Sequence, residues 1–491
     1  MSDQKFSRRD WLRQTSSGFG YLALGAMCAQ SISQSAQANP LAPKTPHFAP
    51  RAKRVIFLFM RGGPSQVDTF DYKPELKKHH GEKTARNYNP MSMGQADKDM
   101  LYGSPYKFSQ HGQSGQWISE LFPNIAKHAD DLCIINSMHC DSPAHDLATT
   151  DAYTGFSNST RPSLGAWVQY GLGSESQDLP GYIVLGRPTG LFAQGESFNC
   201  AFLPSFYQGT VVEASGGGLP DITNGQLSNS EQRQQLELVQ SMNNRLLERS
   251  HADPQIESVI KSYELGFRMQ TVVPEIMNIN RESAAMLDMY GIRGDAGLVK
   301  AFKAEKITIE AAKKAYDQSF TFGQQCLVAR RMAEAGVRFI QLSTGFRWDH
   351  HKNLPVEMPA SAAAIDMSIA GLLTDLKQRD MLKDTLVVWG GEFGRTPTTG
   401  IFSRPGSEGR DHNHRGFTIW MAGGGVKGGL RYGETDEFGG IAVTNKVHTH
   451  DLHATILHLL GLDHRQLKYR YAGRDYTLTD LQGRVVDGVV S

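Results

Sequence analysis

The stretch Arg54-Val-Ile-Phe-Leu-Phe-Met60, followed by Arg61-Gly-Gly-Pro64, decides the fold class of this chain. A continuous apolar run closed by a glycine-proline turn is typical of a strand that is buried on both faces, as in a parallel sheet. We therefore predict a sheet of buried strands. The same pattern recurs at Leu132–Ser137, Tyr182–Leu185, Val337–Ser343, Thr385–Trp389 and Phe417–Met421.

Helical periodicity separates several of these runs, and strands that alternate with helices indicate an α/β fold. The prediction is a doubly wound, mostly parallel sheet with helices on both faces. Residues 230–320 carry helical patterns in series without a convincing strand, which predicts a helical insertion over one side of the sheet. The predicted sheet helices are Ile118–His128, Phe322–Gly336, Ser361–Arg379 and Asp451–Leu460.

Composition excludes several classes of protein. The chain has 491 residues, with 51 Lys+Arg against 50 Asp+Glu and 40% hydrophobic residues. An apolar content of this size can form a large core, so wholesale disorder is excluded. A net charge of +1 gives no electrostatic reason to expect binding to nucleic acid or to an anionic membrane surface.

The N-terminus has the features of an export signal. Ser7-Arg8-Arg9 precedes a short, weakly apolar run, and Ala36-Gln37-Ala38 offers a small-residue cleavage site. The apolar run is too short and too rich in Gly and Ser for a permanent membrane span. We expect a twin-arginine signal at 1–38, an extended leader at 39–53 and one α/β domain at 54–491. The predicted partner is the twin-arginine translocase, and the destination is the periplasm or the extracellular space.

Histidines and carboxylates gather where the predicted strands end. In an open parallel sheet, ligands bind at the carboxyl ends of the strands, and seven of the 17 histidines lie between residues 350 and 453. Imidazole and carboxylate are the usual ligands of divalent metals, so we expect a Zn, Ca, Mg or Mn ion. For any single histidine, a solvated or hydrogen-bonded role remains the alternative. The candidate ligands are Asp68, Asp349, His351, Glu392, His412 and His414.

Several motifs resemble those of a known superfamily. The strand that ends in Gly391-Glu392-Phe-Gly394 is similar to the strand ending in Ser-Asp-His-Gly in sulfatases and related phosphatases, and Asp451-Leu-His-Ala-Thr-Ile-Leu457 resembles their Asp-Ile-Ala-Pro-Thr-Ile-Leu helix. On motifs that span essentially the whole mature chain, the chain is identified as a member of domain-of-unknown-function family 1501, exported proteins of the alkaline phosphatase superfamily. In chain order these motifs are G-G-P-S-Q-x-D-x-F-D, W-D-x-H, G-G-E-F-G-R-T-P, G-R-D-H and D-L-H-A-T-I-L.

The resemblance implies metal ligands at the strand ends and a nucleophile near a helix N-terminus, with departures. Where sulfatases carry two aspartates after the first strand, this chain has Arg61-Gly62-Gly63, and Glu392-Phe393 replaces their Asp-His pair. Cys140-Asp-Ser-Pro-Ala-His145 is a distorted form of the sulfatase nucleophile motif Cys-x-Pro-Ser-Arg. The candidate catalytic residues are Asp141, Ser142, His145 and Arg395.

Each of these roles has a plainer alternative. Asp141 falls in the nucleophile position with Ser142 beside it, but either residue could be a helix N-cap. His145 falls in the arginine position and is expected to act as an acid or base. Arg395 is expected to bind the anionic oxygens of the substrate, and its alternative is a salt bridge that holds the loop.

These residues predict a metal-dependent hydrolase that acts on a sulfate or phosphate ester of a small molecule or glycan. The alternative is a member of the superfamily that has lost catalysis and binds a glycan or a protein at the cell envelope. The absence of the sulfatase aspartates and histidine at their usual positions favours the alternative. The many other histidines near the predicted strand ends favour the enzyme.

Overall fold

A computed structural model of the chain describes residues 41–88, 100–186, 196–213, 227–249, 254–292, 309–345 and 347–491. The predicted export signal and the first residues of the leader lie outside this part of the chain.

In the described part of the chain, a mixed sheet of nine strands forms the centre of the fold. The strands are β1 (Arg54–Phe59), β2 (Leu132–His139), β3 (Tyr182–Leu185), β4 (Thr210–Val212), β5 (Phe339–Ser343), β6 (Thr385–Gly390), β7 (Phe417–Ala422), β8 (Leu430–Tyr432) and β9 (Val447–His448). Their order in the sheet is β8-β2-β7-β6-β1-β5-β3-β4, with β9 also paired to β2.

All six strands predicted from buried apolar runs are present, and one of them runs in the opposite direction to its neighbours. β1 lies between β5 and β6 and runs parallel to both. β7 is antiparallel to both of its neighbours, β2 and β6. The sheet is therefore mostly parallel with one reversed strand, because an apolar run indicates burial but carries no information about direction.

Helices cover both faces of the sheet, as the alternation of strands and helices predicts. The α-helices of the described residues are α1 (Gln66–Thr69), α2 (Pro74–Lys78), α3 (His145–Thr154), α4 (Leu164–Leu172), α5 (Asn229–Arg249), α6 (Pro254–Met277), α7 (Ala284–Met289), α8 (Ile309–Glu334), α9 (Leu354–Gln378) and α10 (Thr449–Leu459). Val55, Phe57 and Phe59 of β1 belong to one hydrophobic cluster with α3, α4 and α10, whereas Ile56 and Leu58 belong to a second cluster with α8 and α9.

The helix predicted at Ile118–His128 was wrong. Its first two residues end a hairpin of Phe108–His111 with Gln116–Ser119, and its last four begin a 3-10 helix at Ile125–Asp131. Pro123 lies between them and has no N–H to continue a helix, and it also restricts the residue before it. The apolar spacing alone therefore misled the prediction.

The predicted helical insertion is confirmed in the described residues, where α5, α6 and α7 follow one another and lead towards α8. A buried ion pair fixes this region to the body of the fold. The Arg330 guanidinium contacts Asp375 of α9 at 2.8 Å and Glu282 at 2.7 Å, and the Tyr290 hydroxyl donates to the same Asp375 carboxylate.

One helix of the described residues, α9, has the length and apolar composition of a membrane span. Of its most apolar window, 67% is buried inside the fold, mainly against the sheet and α8. These properties are those of a core helix.

Candidate metal centre

The polar loops converge at the edge of the sheet where β1, β2, β5 and β6 end. Asp349 follows β5, Glu392 follows β6, and His145 opens α3 just after β2. His412 precedes β7, and because β7 is antiparallel its amino end lies at the same edge. The reversed strand thus delivers His412 to the carboxyl ends of the parallel strands.

Close packing of the loop after β1 against the loop after β5 depends on a glycine. Gly62 has a φ of +110°, and a Cβ at this position would lie 2.6 Å from the backbone nitrogen of Asp349. Only glycine tolerates both the backbone conformation and the contact. The G-G-P motif after β1 therefore lets Asp349 lie against the centre of the sheet edge.

One oxygen of Asp349 is the point on which the side chains converge. The Oδ1 atom of Asp349 lies 3.0 Å from Nε2 of His351, 3.3 Å from Nε2 of His145 and 3.4 Å from Nε2 of His412. Nη2 of Arg395 lies 2.5 Å from the same oxygen. Ligand atoms of His145, Asp349 and His412 all lie within 4.8 Å of one another, which is compact enough to surround one metal ion.

The other ring nitrogen of each histidine is held by an oxygen. Nδ1 of His145 lies 2.6 Å from Oε1 of Glu392, and Nδ1 of His351 lies 2.8 Å from Oδ1 of Asp411. Nδ1 of His412 lies 2.7 Å from the carbonyl oxygen of Pro143. Since ionised carboxylate and carbonyl oxygens only accept hydrogen bonds, we assign the proton of each neutral ring to Nδ1. Each Nε2 then presents its lone pair to the centre, as metal-ligating histidines do.

This arrangement of lone pairs requires positive charge at the centre. Nε2 of His351 and Nε2 of His412 face each other at 2.9 Å, and without a proton or a cation between them the two lone pairs repel. Burial acts to lower the pKa of His145, but hydrogen bonds to Asp349 and Glu392 outweigh it and raise that pKa. The pKa of His351 is raised in the same way, against burial, by Asp349 and Asp411.

The remaining two groups have opposite charge preferences. Burial lowers the pKa of His412 to about 4, so this imidazole is neutral at pH 7. Burial acts to raise the pKa of Asp349, but the three imidazoles around its carboxylate outweigh it and hold that pKa far below its usual range. The centre therefore combines an ionised carboxylate with imidazole nitrogens, which are the ligand types common at divalent metal sites.

Glu392 lies behind His145. It is 2% exposed, and its Oε1 accepts hydrogen bonds from His145 and from the backbone N–H of Gly62 at 2.9 Å. Its Oε2 is buried and has no partner among the described residues. A cavity of about 20 Å³ adjoins Glu392, which is enough for one water molecule. Glu392 thus orients the imidazole of His145 instead of facing the centre as the predicted ligand would.

Arg395 is fully buried, and the protein itself occupies its guanidinium. Besides Asp349, it donates to the carbonyl oxygens of Gly62, Gly63 and Arg410. The guanidinium therefore holds Asp349 and the turn after β1 in place.

A family model described as "Protein of unknown function (DUF1501)" matches residues 52–490. The chain belongs to this family. The W-D-x-H and G-R-D-H motifs that identify DUF1501 in the sequence supply Asp349, His351 and His412 of the centre. The search of curated proteins found no match for the chain.

Solved structures similar to this DUF1501 member include hydrolases and a synthase. The sulfatase PsFucS1 from Pseudoalteromonas sp. is 15% identical, with 84% of this chain and 68% of that chain covered and a TM-score of 0.34. A magnesium-bound mutant of the TAB5 alkaline phosphatase is 12% identical, covering 84% and 99% with a TM-score of 0.35. The lipoteichoic acid synthase LtaP from Listeria monocytogenes is 10% identical, covering 89% and 78% with a TM-score of 0.32. Similarities this low transfer no site and no activity.

Two of the predicted metal ligands lie apart from the centre of this DUF1501 member. Asp68 is fully buried in a two-point ion pair with Arg410, at 2.7 and 3.1 Å, and also accepts from the Ser65 hydroxyl. The carbonyl oxygen of His414 accepts from the backbone N–H of Cys140, and its ring is not among those that face Asp349. We leave both residues out of the ligand set.

The segment before α3 holds the candidate nucleophiles. Asp141 is 63% exposed, and its carboxylate accepts from Nε2 of His448 at 3.2 Å. Ser142 is buried, and its hydroxyl accepts from the backbone N–H of Ala144. The N-cap of α3 is Ala144, so neither Asp141 nor Ser142 has the capping role that was their alternative.

Sequence reasoning missed two groups that build the centre. Asp411 is 2% exposed and anchors His351, and the Pro143 carbonyl anchors His412. The acid next to His412 in the G-R-D-H motif was a usable signal for Asp411, because an anchoring carboxylate is a common feature of metal-ligating histidines. No sequence signal identifies a carbonyl partner.

Proposed function

We propose that this DUF1501 member is an exported, metal-dependent hydrolase of sulfate or phosphate esters. The observation that carries the proposal is the convergence of three imidazole Nε2 atoms on Asp349, with every Nδ1 held by an oxygen. The three rings are thereby held in the orientation in which histidines bind a metal ion. Without a cation, their Nε2 lone pairs face one another and repel.

The donor set fits a transition metal best. His145, His412 and Asp349 would hold the ion, with His351 as a fourth ligand. Imidazole-rich sites suit Zn²⁺ and related ions, whereas Ca²⁺ and Mg²⁺ prefer oxygen ligands, so of the four candidate metals we favour zinc. When bound, such an ion supplies a Lewis acid that polarises an ester oxygen.

The attacking group is proposed to be the hydroxyl of Ser142. Its oxygen would bond to the phosphorus or sulfur atom as the bond from that atom to the alcohol oxygen breaks, the hydroxyl proton would leave with the alcohol, and water would then hydrolyse the serine ester. Ser142 directly precedes Pro143, whose carbonyl oxygen is bound to His412, so this segment is tied to the metal centre. The ten-residue helix α3 starts three residues later, and free N–H groups at its N-terminus favour negative charge that develops nearby. Asp141, whose carboxylate is paired with His448, takes no part in this proposal.

His145 takes a different role from the acid or base expected of it. Its Nδ1 is engaged by Glu392 and its Nε2 faces Asp349, so we assign it as a ligand. Glu392 and Asp411 act as positioning residues, because each holds an imidazole and neither faces the centre itself.

A second candidate is a binding protein for a glycan or a protein at the cell envelope that lacks catalysis. The burial of Arg395 favours it, because this guanidinium is not free to bind an anionic ester. The replacement of the paired sulfatase aspartates by Arg61-Gly62-Gly63 favours it as well.

Location belongs to the same proposal. The twin-arginine signal at 1–38 would export the folded protein to the periplasm or beyond, by way of the translocase. A protein exported after folding can bind its metal in the cytoplasm. Its substrate would be an ester, of a small molecule or a glycan, outside the inner membrane.

Metal analysis of the purified protein tests the proposal. We expect about one equivalent of metal in the wild type and in the control His79→Ala, whose imidazole lies at the surface beside Glu75 and Glu82. His145→Ala and His412→Ala should lose the metal together with the hydrolysis of p-nitrophenyl sulfate or phosphate. Metal far below one equivalent in the wild type would overturn the proposal. A full equivalent without hydrolysis of any ester would support the binding protein instead.

A further inference from the structure

Phe402 is a large apolar side chain exposed at the rim of the candidate metal centre. It is 60% exposed, although phenylalanine is among the residues most often buried in folded proteins. Its ring meets the ring of His351 edge to face, with centroids 5.5 Å apart and an interplanar angle of 89°. An aromatic surface therefore adjoins an imidazole that faces the centre.

The loop that carries Phe402 is fixed to the centre by Asp411. One carboxylate oxygen of Asp411 accepts from Nδ1 of His351 at 2.8 Å, and the other accepts from the backbone N–H of Ile401 at 2.9 Å. Phe402 is the next residue along the chain. One buried side chain thus sets both the orientation of a candidate ligand and the path of the loop beside it.

Further hydrogen bonds hold this loop against the loop after β5. The N–H of Gly400 donates to the carbonyl of Gly409, and the N–H of Leu354 donates to the carbonyl of Glu408, both at 2.9 Å. The Ser407 hydroxyl donates to the Asn353 side chain at 2.6 Å. Phe402 is therefore held in the exposed position by a bonded framework.

We propose that Phe402 is a platform for the leaving group of the substrate, and that this leaving group is a ring with a flat apolar face. An aromatic ring and a pyranose both have such a face, and either would stack on Phe402 while the ester group lies at the metal centre. The inference rests on the proposed function for the position of the ester. It goes further in assigning a specificity-determining residue and a substrate class.

Binding of phosphonates to the zinc-loaded protein tests this platform without a need for turnover. Phenylphosphonate and a 6-phosphonate analogue of glucose carry a ring, whereas methylphosphonate carries the same anion without one. Stacking on one aromatic side chain should make the wild type prefer a ring-bearing phosphonate by about 2- to 10-fold in Kd. Preference for the phenyl compound alone would indicate an aryl ester, and preference for the sugar compound alone would indicate an ester of a sugar hydroxyl.

The variants separate stacking from a general loss of structure. Phe402→Ala should bind all three phosphonates equally, and Phe402→Trp should restore the preference. Phe48→Ala is the matched control, because Phe48 is also exposed and also packs on a histidine, His458, at 4.9 Å. Because Phe402 is largely exposed, Phe402→Ala should keep the thermal midpoint of the wild type.

Three results would overturn the platform: no binding of any phosphonate, no ring preference in the wild type, or an unchanged preference in Phe402→Ala. These outcomes are distinct from failure of the proposed function. A ring preference without ester hydrolysis would support the platform and contradict the proposed hydrolase. Hydrolysis without a ring preference would support the hydrolase and contradict the platform.

Discussion

His145 and Glu392 form a hydrogen bond of 2.6 Å, from Nδ1 to Oε1, across 247 positions of sequence. Both side chains are buried, and the same glutamate oxygen accepts a hydrogen bond from the backbone N–H of Gly62, in the turn after β1. Glu392 therefore joins the ends of β1, β2 and β6, and its bond to His145 fixes the imidazole ring with Nε2 towards Asp349.

Glu392→Gln should weaken metal binding about 10- to 100-fold, which is the usual effect of losing an anchoring carboxylate. The amide still fits the site but lacks the charge that holds the Nδ1 proton. Competition with a chelator measures the Kd. The control Glu357→Gln, at the exposed start of α9, should bind metal like the wild type. Equal affinity in Glu392→Gln would show that the carboxylate does not support the centre.

Asp68→Asn should lower the free energy of unfolding by about 3 to 5 kcal/mol, because it leaves the buried Arg410 guanidinium without its counter-charge. Metal content should not change. Denaturant unfolding and metal analysis measure the two effects, and Asp380→Asn, which breaks an exposed pair with Lys383, serves as the control. A stable variant that had lost its metal would return Asp68 to the ligand set.

Arg395→Lys should also destabilise the fold, again by about 3 to 5 kcal/mol, because one ammonium group cannot replace a guanidinium that contacts Asp349 and three carbonyl oxygens. The change in the free energy of unfolding measures this effect. If stability is unchanged while KM for an ester rises, Arg395 contacts substrate after all.

Acid should destabilise the protein through His453, whose imidazole is buried in α10 and bound through Nε2 to the carbonyl of Ala152. Burial lowers its pKa from 6.5 to about 3. The unfolded chain therefore binds a proton at His453 more tightly than the folded chain does. As a result, the free energy of unfolding decreases as the pH falls from about 6.5 towards 3. For this group the loss is about 2 kcal/mol between pH 6.5 and 5.

His453→Gln keeps a donor for Ala152 and removes the titration. Denaturant unfolding at pH 7, 6 and 5 should show a flatter pH dependence in this variant than in the wild type. The same slope in both proteins would mean that His453 is not the group responsible.

Replacing Arg8 and Arg9 with lysine should leave the precursor inside the cell, because twin-arginine export depends on the paired arginines. Fractionation and immunoblotting measure the distribution, and Arg13→Lys in the same segment is the control. Undiminished export of the double variant would refute the assignment of the signal.

The strands were predictable because a strand buried on both faces has a local sequence pattern, an unbroken apolar run such as Val55–Phe59. The helix at Ile118–His128 was not, because its apolar spacing continues across Pro123, where a helix cannot. No local sequence pattern indicates the direction of β7. That direction is set by pairing with β2 and β6, and it brings His412 to the site.

By itself, the sequence determined the family, the buried strands and the pool of donor side chains, since each of these is written in contiguous residues. Only the tertiary structure decided the role of each donor. His145 faces the centre and Glu392 lies behind His145. Asp68 and Arg395 instead form ion pairs with Arg410 and Asp349. The physical reason is that the role of a ring nitrogen or a carboxylate depends on the atoms within about 3 Å of it. For these residues, the deciding atoms come from segments up to several hundred positions away.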